Sequence, residues 1–170
     1  FEKVDSRKMF QIYDKWPEIA QESFSTDFNK FDSKGIDHIV FAGMGGSGSI
    51  GDVIVSILSK ENIHVSNIKG YHLPKTVDAN SLVVTTSVSG NTKETLSVLE
   101  QAKKTDAKIT AFSTGGKMKE FCNENDVYFK EIPMIHSPRA SFLKFLFSIL
   151  SILKDVIPID ERDINDAISS

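Results

Sequence analysis

The chain has 170 residues, 40% of them hydrophobic and 25% charged, with a formal net charge of -3. That length suits one domain able to bury its own core, and the composition excludes an intrinsically disordered chain. The acidic balance argues against a nucleic-acid partner, which demands a basic stripe, and the single cysteine, Cys122, excludes an intrachain disulfide or a cysteine-rich metal site.

Two short amphipathic helices are predicted first. Met9, Ile12 and Tyr13 form one apolar edge, and Ile19, Ala20 and Phe24 form another after Pro17, a residue suited to a helix's first turn. The opening residues are charged and contain no apolar core segment, so they do not read as a signal peptide. With the scarcity of cysteine, this points to a reducing, cytoplasmic setting. The chain starts at Phe1 rather than methionine, as a piece of a longer protein would.

From Asp37 onward, strand-like and helix-like runs alternate. "DHIVFAG" predicts a strand, after which Ile50, Val53, Ile54, Ile57 and Leu58 recur at helical spacing. "IHVSNI", "SLVVTTS" and "AKITAFS" predict the second, third and fourth strands, and "DVYFKEI" a fifth on an edge. Leu96, Leu99 and Ala102 mark a helix between the third and fourth, and a short helix is expected over 117–123. Strands apolar on both faces and alternating with helices imply a parallel sheet covered on both sides. The expected fold class is therefore α/β, a three-layer α/β/α sandwich around a five-stranded, doubly wound parallel sheet.

A long helix is expected from Pro138. Its apolar run from Phe142 to Leu153 is interrupted by Lys144 and falls short of the roughly 20 residues that span a bilayer. It reads as a buried core helix or as an interface with another subunit or domain, and no membrane partner is expected. Beyond Pro158, "IDERDINDAISS" reads as a short helix with Ile164 and Ile168 on one side and nothing in the chain to pack on. The expected organisation is one domain over residues 1–157, followed at 158–170 by the start of a linker to a further domain.

Open parallel sheets bind ligands at the carboxyl ends of their strands, and three loops fall there. The first, "FAGMGGSGSIGD", holds five of the ten glycines, and Gly43, Gly45 and Gly48 satisfy G-x-G-x-x-G. The context a dinucleotide needs is missing, because the second strand runs into "SNIKGYH" with no acid for a ribose. No Lys-Ser or Lys-Thr pair follows the glycines either, as a P-loop would require. Two readings stay open: a tight turn whose glycines serve packing, or a loop whose amides and Ser47 face a polar ligand.

The second loop, "TSVSGNTKET", sets Ser87, Ser89 and Thr92 around Gly90 where a strand turns into a helix. A helix's first turn offers unpaired N–H groups and partial positive charge, and hydroxyls add neutral donors for a phosphate. Capping is the alternative, since Asn91 and Glu94 have N-cap spacing. Three hydroxyls exceed what a cap needs. In the third loop, "IHSPRASF", Arg139 follows Pro138 within the expected first turn, where a cation opposes the helix dipole by about 0.3–1 kcal/mol. An anionic substrate or developing oxyanion would offset that, as would solvation or pairing with Glu131.

Taken together, "GMGGSGSIGD", "SVSGNTKETL" and "SPRASF", with "TGGKM" and "DKWPEI", resemble the sugar isomerase (SIS) domain. More narrowly, they resemble the N-terminal half of the archaeal-type bifunctional phosphoglucose/phosphomannose isomerases. The resemblance implies a flavodoxin-like SIS fold and interconversion of glucose 6-phosphate or mannose 6-phosphate with fructose 6-phosphate. That reaction opens the ring and moves a proton between C1 and C2, and no metal or other cofactor is expected. Gly45, Gly46 and Ser47 match the loop lining the sugar, Ser87, Ser89 and Thr92 the phosphate-binding hydroxyls, and Arg139 the arginine that steadies the enediolate.

The family's glutamate base, ring-opening histidine and lysine lie in a second SIS domain, and nothing in this chain matches them. His38 and His64 fall in or near strands as structural residues, His72 in a loop, and His136 outside the motif. Glu94 suits capping better than proton abstraction. The expected partners are a sugar phosphate and a second SIS domain or a homodimer partner, and the expected behaviour of this chain alone is binding without turnover. A non-catalytic phosphosugar sensor is the alternative, and a dinucleotide oxidoreductase the weakest reading.

Overall fold

Parallel pairing of short apolar strands requires crossovers, and the chain supplies a helix for three of its four. The computed structural model describes residues 5, 6, 8–26, 32 and 34–169. They form two units, residues 33–133 and residues 1–32 with 134–170.

The first unit contains β1 (His38–Ala42), α3 (Gly46–Ile57), β2 (His64–Ile68), β3 (Ser81–Ser87), α4 (Lys93–Ala102), β4 (Lys108–Ser113), α5 (Gly116–Glu124) and β5 (Tyr128–Glu131). All pairings are parallel, in the order β2-β1-β3-β4-β5, so "DVYFKEI" does supply an edge strand. Central β1 and β3 are buried along their whole length, as near-continuous apolar runs demand, whereas the edges β2 and β5 are partly exposed.

The order reverses between β1 and β3. From β1 the chain steps outward to β2, then returns past β1 and proceeds through β3, β4 and β5. Right-handed crossovers in opposite directions place helices on opposite faces. Val40, Ala42 and Val83 pack under Val98 and Ala102 of α4, and Ala111 under Met118 and Cys122 of α5. Ile68 joins that face, so its neighbour Asn67 points to the other, where it meets α3 at Gly51. A Cβ on Gly51 would overlap the Asn67 side chain, which fixes glycine there by close approach. Helices on both faces give the three-layer α/β/α arrangement.

Burial also governs Cys122, which is 1% exposed and whose thiol is pushed up to about 11 by desolvation. At pH 8 about a thousandth of it would be thiolate, and a reagent would have no access without local opening. Reaction with 5,5′-dithiobis(2-nitrobenzoate) is therefore expected only at the rate of unfolding, with full reaction in guanidinium. Rapid native-state labelling would show that α5 lifts from the sheet.

The second unit contains α1 (Met9–Asp14), α2 (Trp16–Ser25), α6 (Phe142–Ile152) and α7 (Glu161–Ser169). Tyr13 and Trp16 meet edge to face at 4.7 Å, and the Trp16 indole donates to the Ala140 carbonyl at 3.3 Å. Ser151 of α6 donates to the Phe24 carbonyl of α2 at 2.7 Å, and residues 145–153 are all buried, so this stretch is core.

Two expectations are corrected here. The long helix begins at Phe142 rather than Pro138, because Ser141 ties off the preceding turn. Its hydroxyl accepts from the Ile135 N–H at 2.8 Å and lies 2.9 Å from the Ser137 carbonyl. The last helix does find a partner: Ile164 is 4% exposed and α7 lies against α2. Its start is a reciprocal cap, with Asp160 accepting from the N–H of Arg162 and Asp163, and Asp163 accepting from the N–H of Asp160.

Candidate functional site

The β3–α4 loop lies at the carboxyl end of a central strand, beside the reversal in strand order. Gly90 takes φ +67, and a Cβ there would collide with the Gly115 carbonyl oxygen. This bend brings Ser87 and Thr92 together, with Oγ and Oγ1 2.8 Å apart. The Ser87 Oγ also accepts from the Gly90 N–H at 3.1 Å, so its own proton is left for Thr92 or for a ligand. Ser89 is exposed, and its Oγ accepts from the Asn91 N–H at 3.2 Å.

Thr92 occupies the N-cap of α4 but makes no side-chain cap bond, because its hydroxyl is turned to Ser87. Glu94 does not cap either: its carboxylate is engaged by the Tyr71 hydroxyl, which holds that phenol above its ordinary range. The first turn of α4 thus keeps N–H donors and partial positive charge beside two hydroxyls. Such a corner takes up an anion without burying an ammonium group.

The neighbouring α5 differs. Its N-cap, Gly115, supplies no side chain, yet its amides are satisfied from across the loop. Lys117 N–H donates to Asn91 Oδ1 at 3.1 Å and Met118 N–H to the Gly90 carbonyl at 2.9 Å. Asn91 is therefore a cap, as its spacing suggested, but of α5 rather than α4. Sequence reasoning did not find this brace in the β4–α5 loop, although the Gly115-Gly116 pair after a strand was its signal.

The β1–α3 corner separates its glycines by role. Cβ atoms at Gly43 and Gly48 would press on backbone at 2.9 and 2.8 Å, so these two serve packing. Gly45 takes φ +55 for the turn, while Gly46, without positive φ, has nothing within 4 Å of its would-be Cβ. Packing against the described residues therefore does not require glycine at 46. Ser47 follows in the first turn of α3, half-buried, with no side-chain partner among the described residues. This corner and the Ser87–Thr92 loop end adjacent strands, since Ala42 pairs with Thr85.

Arg139 lies in the helical unit, exposed, in the turn three residues before α6. It is thus outside the first helical turn, and the dipole conflict expected from the sequence does not arise. Glu131 pairs with Lys119 at 2.6 Å instead of Arg139. Both strand histidines stand at amino ends of strands, away from these loops, with rings 4.6 Å apart. His38 Nδ1 bonds Ser81 Oγ at 3.2 Å, and burial, then His64, lowers its pKa. Among the described residues, no three His, Cys, Asp or Glu side chains cluster as a metal site, and no helix is long and apolar enough to cross a membrane.

The SIS domain model matches residues 34–154. The chain is 36% identical over 164 residues to a bifunctional phosphoglucose/phosphomannose isomerase of Caldicellulosiruptor bescii, covering 91% of this chain and 48% of that protein. It is 30% identical to a D-glucosamine-6-phosphate 4-epimerase of Sulfolobus acidocaldarius, over 82% of this chain and 42% of that one. Among solved structures, glucosamine-6-phosphate deaminase from Thermotoga maritima superposes with a TM-score of 0.69 at 16% identity, over 95% of this chain and 52% of that one. The chain thus spans less than half the length of the two sequence relatives. A five-stranded parallel sheet in the order 2-1-3-4-5, with a glycine corner and a hydroxyl loop flanking its reversal, accompanies these matches, and the chain belongs to the SIS domain family.

Proposed function

We propose that this chain is the phosphosugar-binding part of an aldose–ketose isomerase that interconverts glucose 6-phosphate or mannose 6-phosphate with fructose 6-phosphate. The observation that carries the reading is the uncapped start of α4 beside the Ser87–Thr92 hydroxyl pair. Ser87, Ser89 and Thr92 hold the phosphate through neutral donors and the helix dipole. Gly45, Gly46 and Ser47 admit the sugar, and Arg139 steadies negative charge on an enediolate. The general base comes from a second SIS domain or a homodimer partner, since Glu94, beside the hydroxyl loop in sequence, is already engaged by the Tyr71 hydroxyl. Residues 158–170 lead towards that second domain, and the setting is cytoplasmic sugar metabolism.

Isothermal titration with glucose 6-phosphate, paired with a coupled assay for fructose 6-phosphate turnover, tests this. The 170-residue chain is expected to bind the sugar phosphate while showing under about a thousandth of two-domain turnover, the scale of losing a general base. Turnover like that of a two-domain enzyme would refute the division of labour. Failure to bind any hexose phosphate would refute the site.

A further inference from the structure

We infer that Asn91 is a positioning residue for the phosphate-binding loop, acting as a clamp between that loop and α5. The inference rests on the phosphate reading above and deepens it. The Asn91 side chain uses both ends of its amide on backbone. Its Nδ2 donates to the Ser89 carbonyl at 3.0 Å, and its Oδ1 accepts from the Lys117 N–H at 3.1 Å. Neither group belongs to α4, whose start Asn91 adjoins.

Two further backbone bonds run parallel to the clamp. Met118 N–H donates to the Gly90 carbonyl at 2.9 Å and Thr114 N–H to the Val88 carbonyl at 3.1 Å. The loop is so close to its brace that a Cβ on Gly116 would stand 2.7 Å from the Ser89 carbonyl and 2.9 Å from Asn91 Oδ1. Residues 88–91 are therefore held from one side by the β4–α5 loop and the start of α5, which receives its cap in exchange. The amide geometry requires a side chain of asparagine's length carrying both a donor and an acceptor. Aspartate would keep the acceptor, lose the donor and add a negative charge beside the phosphate.

What the clamp does for a ligand follows from the uncapped helix. An anion at the start of α4 gains only if the Gly90 bend and the Ser87 and Thr92 hydroxyls keep their places when no ligand is present. A loop free to move would lose conformational freedom on each binding event. Because Asn91 is itself exposed, removing its side chain leaves no cavity in the core and costs only the α5 cap and the hold on the loop.

The test is titration of the 170-residue chain with inorganic phosphate, followed by 15N-resolved NMR, in wild type, Asn91→Ala and Asn125→Ala. Asn125 is a matched control: its Nδ2 donates to the Phe121 carbonyl at 2.8 Å at the opposite end of α5. Asn91→Ala is expected to weaken phosphate about tenfold, the scale of losing one to two modest hydrogen bonds. Hydrogen exchange of the Lys117 amide is expected to rise in the same variant. Asn125→Ala is expected to leave phosphate affinity within about twofold while costing comparable stability. Wild-type affinity in Asn91→Ala would overturn the clamp while leaving the phosphate site standing. Equal weakening in both variants would overturn it too, as a general loss of stability. No wild-type binding would overturn the clamp together with the reading beneath it.

Discussion

Gly90→Ala is expected to destabilise the protein by about 3 kcal/mol or more, the range reserved for backbone strain combined with a steric clash. Position 90 has φ +67, which costs an L-residue on the order of 1 kcal/mol, and the added methyl would meet a carbonyl oxygen of the brace. That oxygen is backbone, so relief requires moving the β4–α5 loop and breaking the bonds from Met118 and Thr114. Gly46→Ala is the instructive contrast. With ordinary φ, open space and a position in the first turn of α3, it is expected to leave stability unchanged or raise it by about 0.5–1 kcal/mol. If the sugar approaches there, the same methyl weakens hexose phosphate binding. Urea titration of the two variants gives the stabilities, and calorimetry with glucose 6-phosphate gives the affinities. A stable Gly90→Ala protein would mean that the hydroxyl loop does not need the bend on which the site depends.

That contrast also marks where the sequence was informative. Strand positions were legible because β1 and β3 are buried on both faces, which leaves runs such as "HIVFA" and "SLVVTTS" that are rich in β-branched and apolar residues and free of Asp, Glu, Lys and Arg. The Ser87–Thr92 loop was legible because hydroxyls grouped around a glycine at a strand-to-helix junction form a local pattern. Two features were not local. Glycines 43, 45, 46, 48 and 51 look alike in sequence, yet three face protein atoms, one serves a turn and Gly46 faces open space. Asn91 has the spacing of a cap for its own helix but caps α5, accepting from the Lys117 N–H 26 residues on. Helix starts around "SPRASF" were equally ambiguous, since proline suits a first turn and the Ser141 side chain, not Pro138, decides where α6 begins.

Removing both hydroxyls, as Ser87→Ala with Thr92→Val, is expected to abolish measurable phosphate binding, with a loss of about 100-fold or more. Hydrogen bonds to a charged group are worth roughly 1.5–3 kcal/mol each, or about 10- to 150-fold in affinity. The two losses are not expected to add. The oxygens are 2.8 Å apart and share one hydrogen bond in the free protein, so removing either releases the other from its partner. Ser87 carries the larger single effect, because the Gly90 N–H already orients its oxygen and leaves its proton to donate. Thr92→Val frees Ser87 to turn elsewhere but keeps that anchor. It also preserves the side chain's volume at the N-cap, where no cap bond is lost. Calorimetric titration of the four proteins with inorganic phosphate, together with their urea midpoints, separates ligand binding from folding. Undiminished binding by the folded double variant would move the phosphate away from α4. A purely additive cycle would mean that the two hydroxyls act on the anion independently rather than as one preset pair.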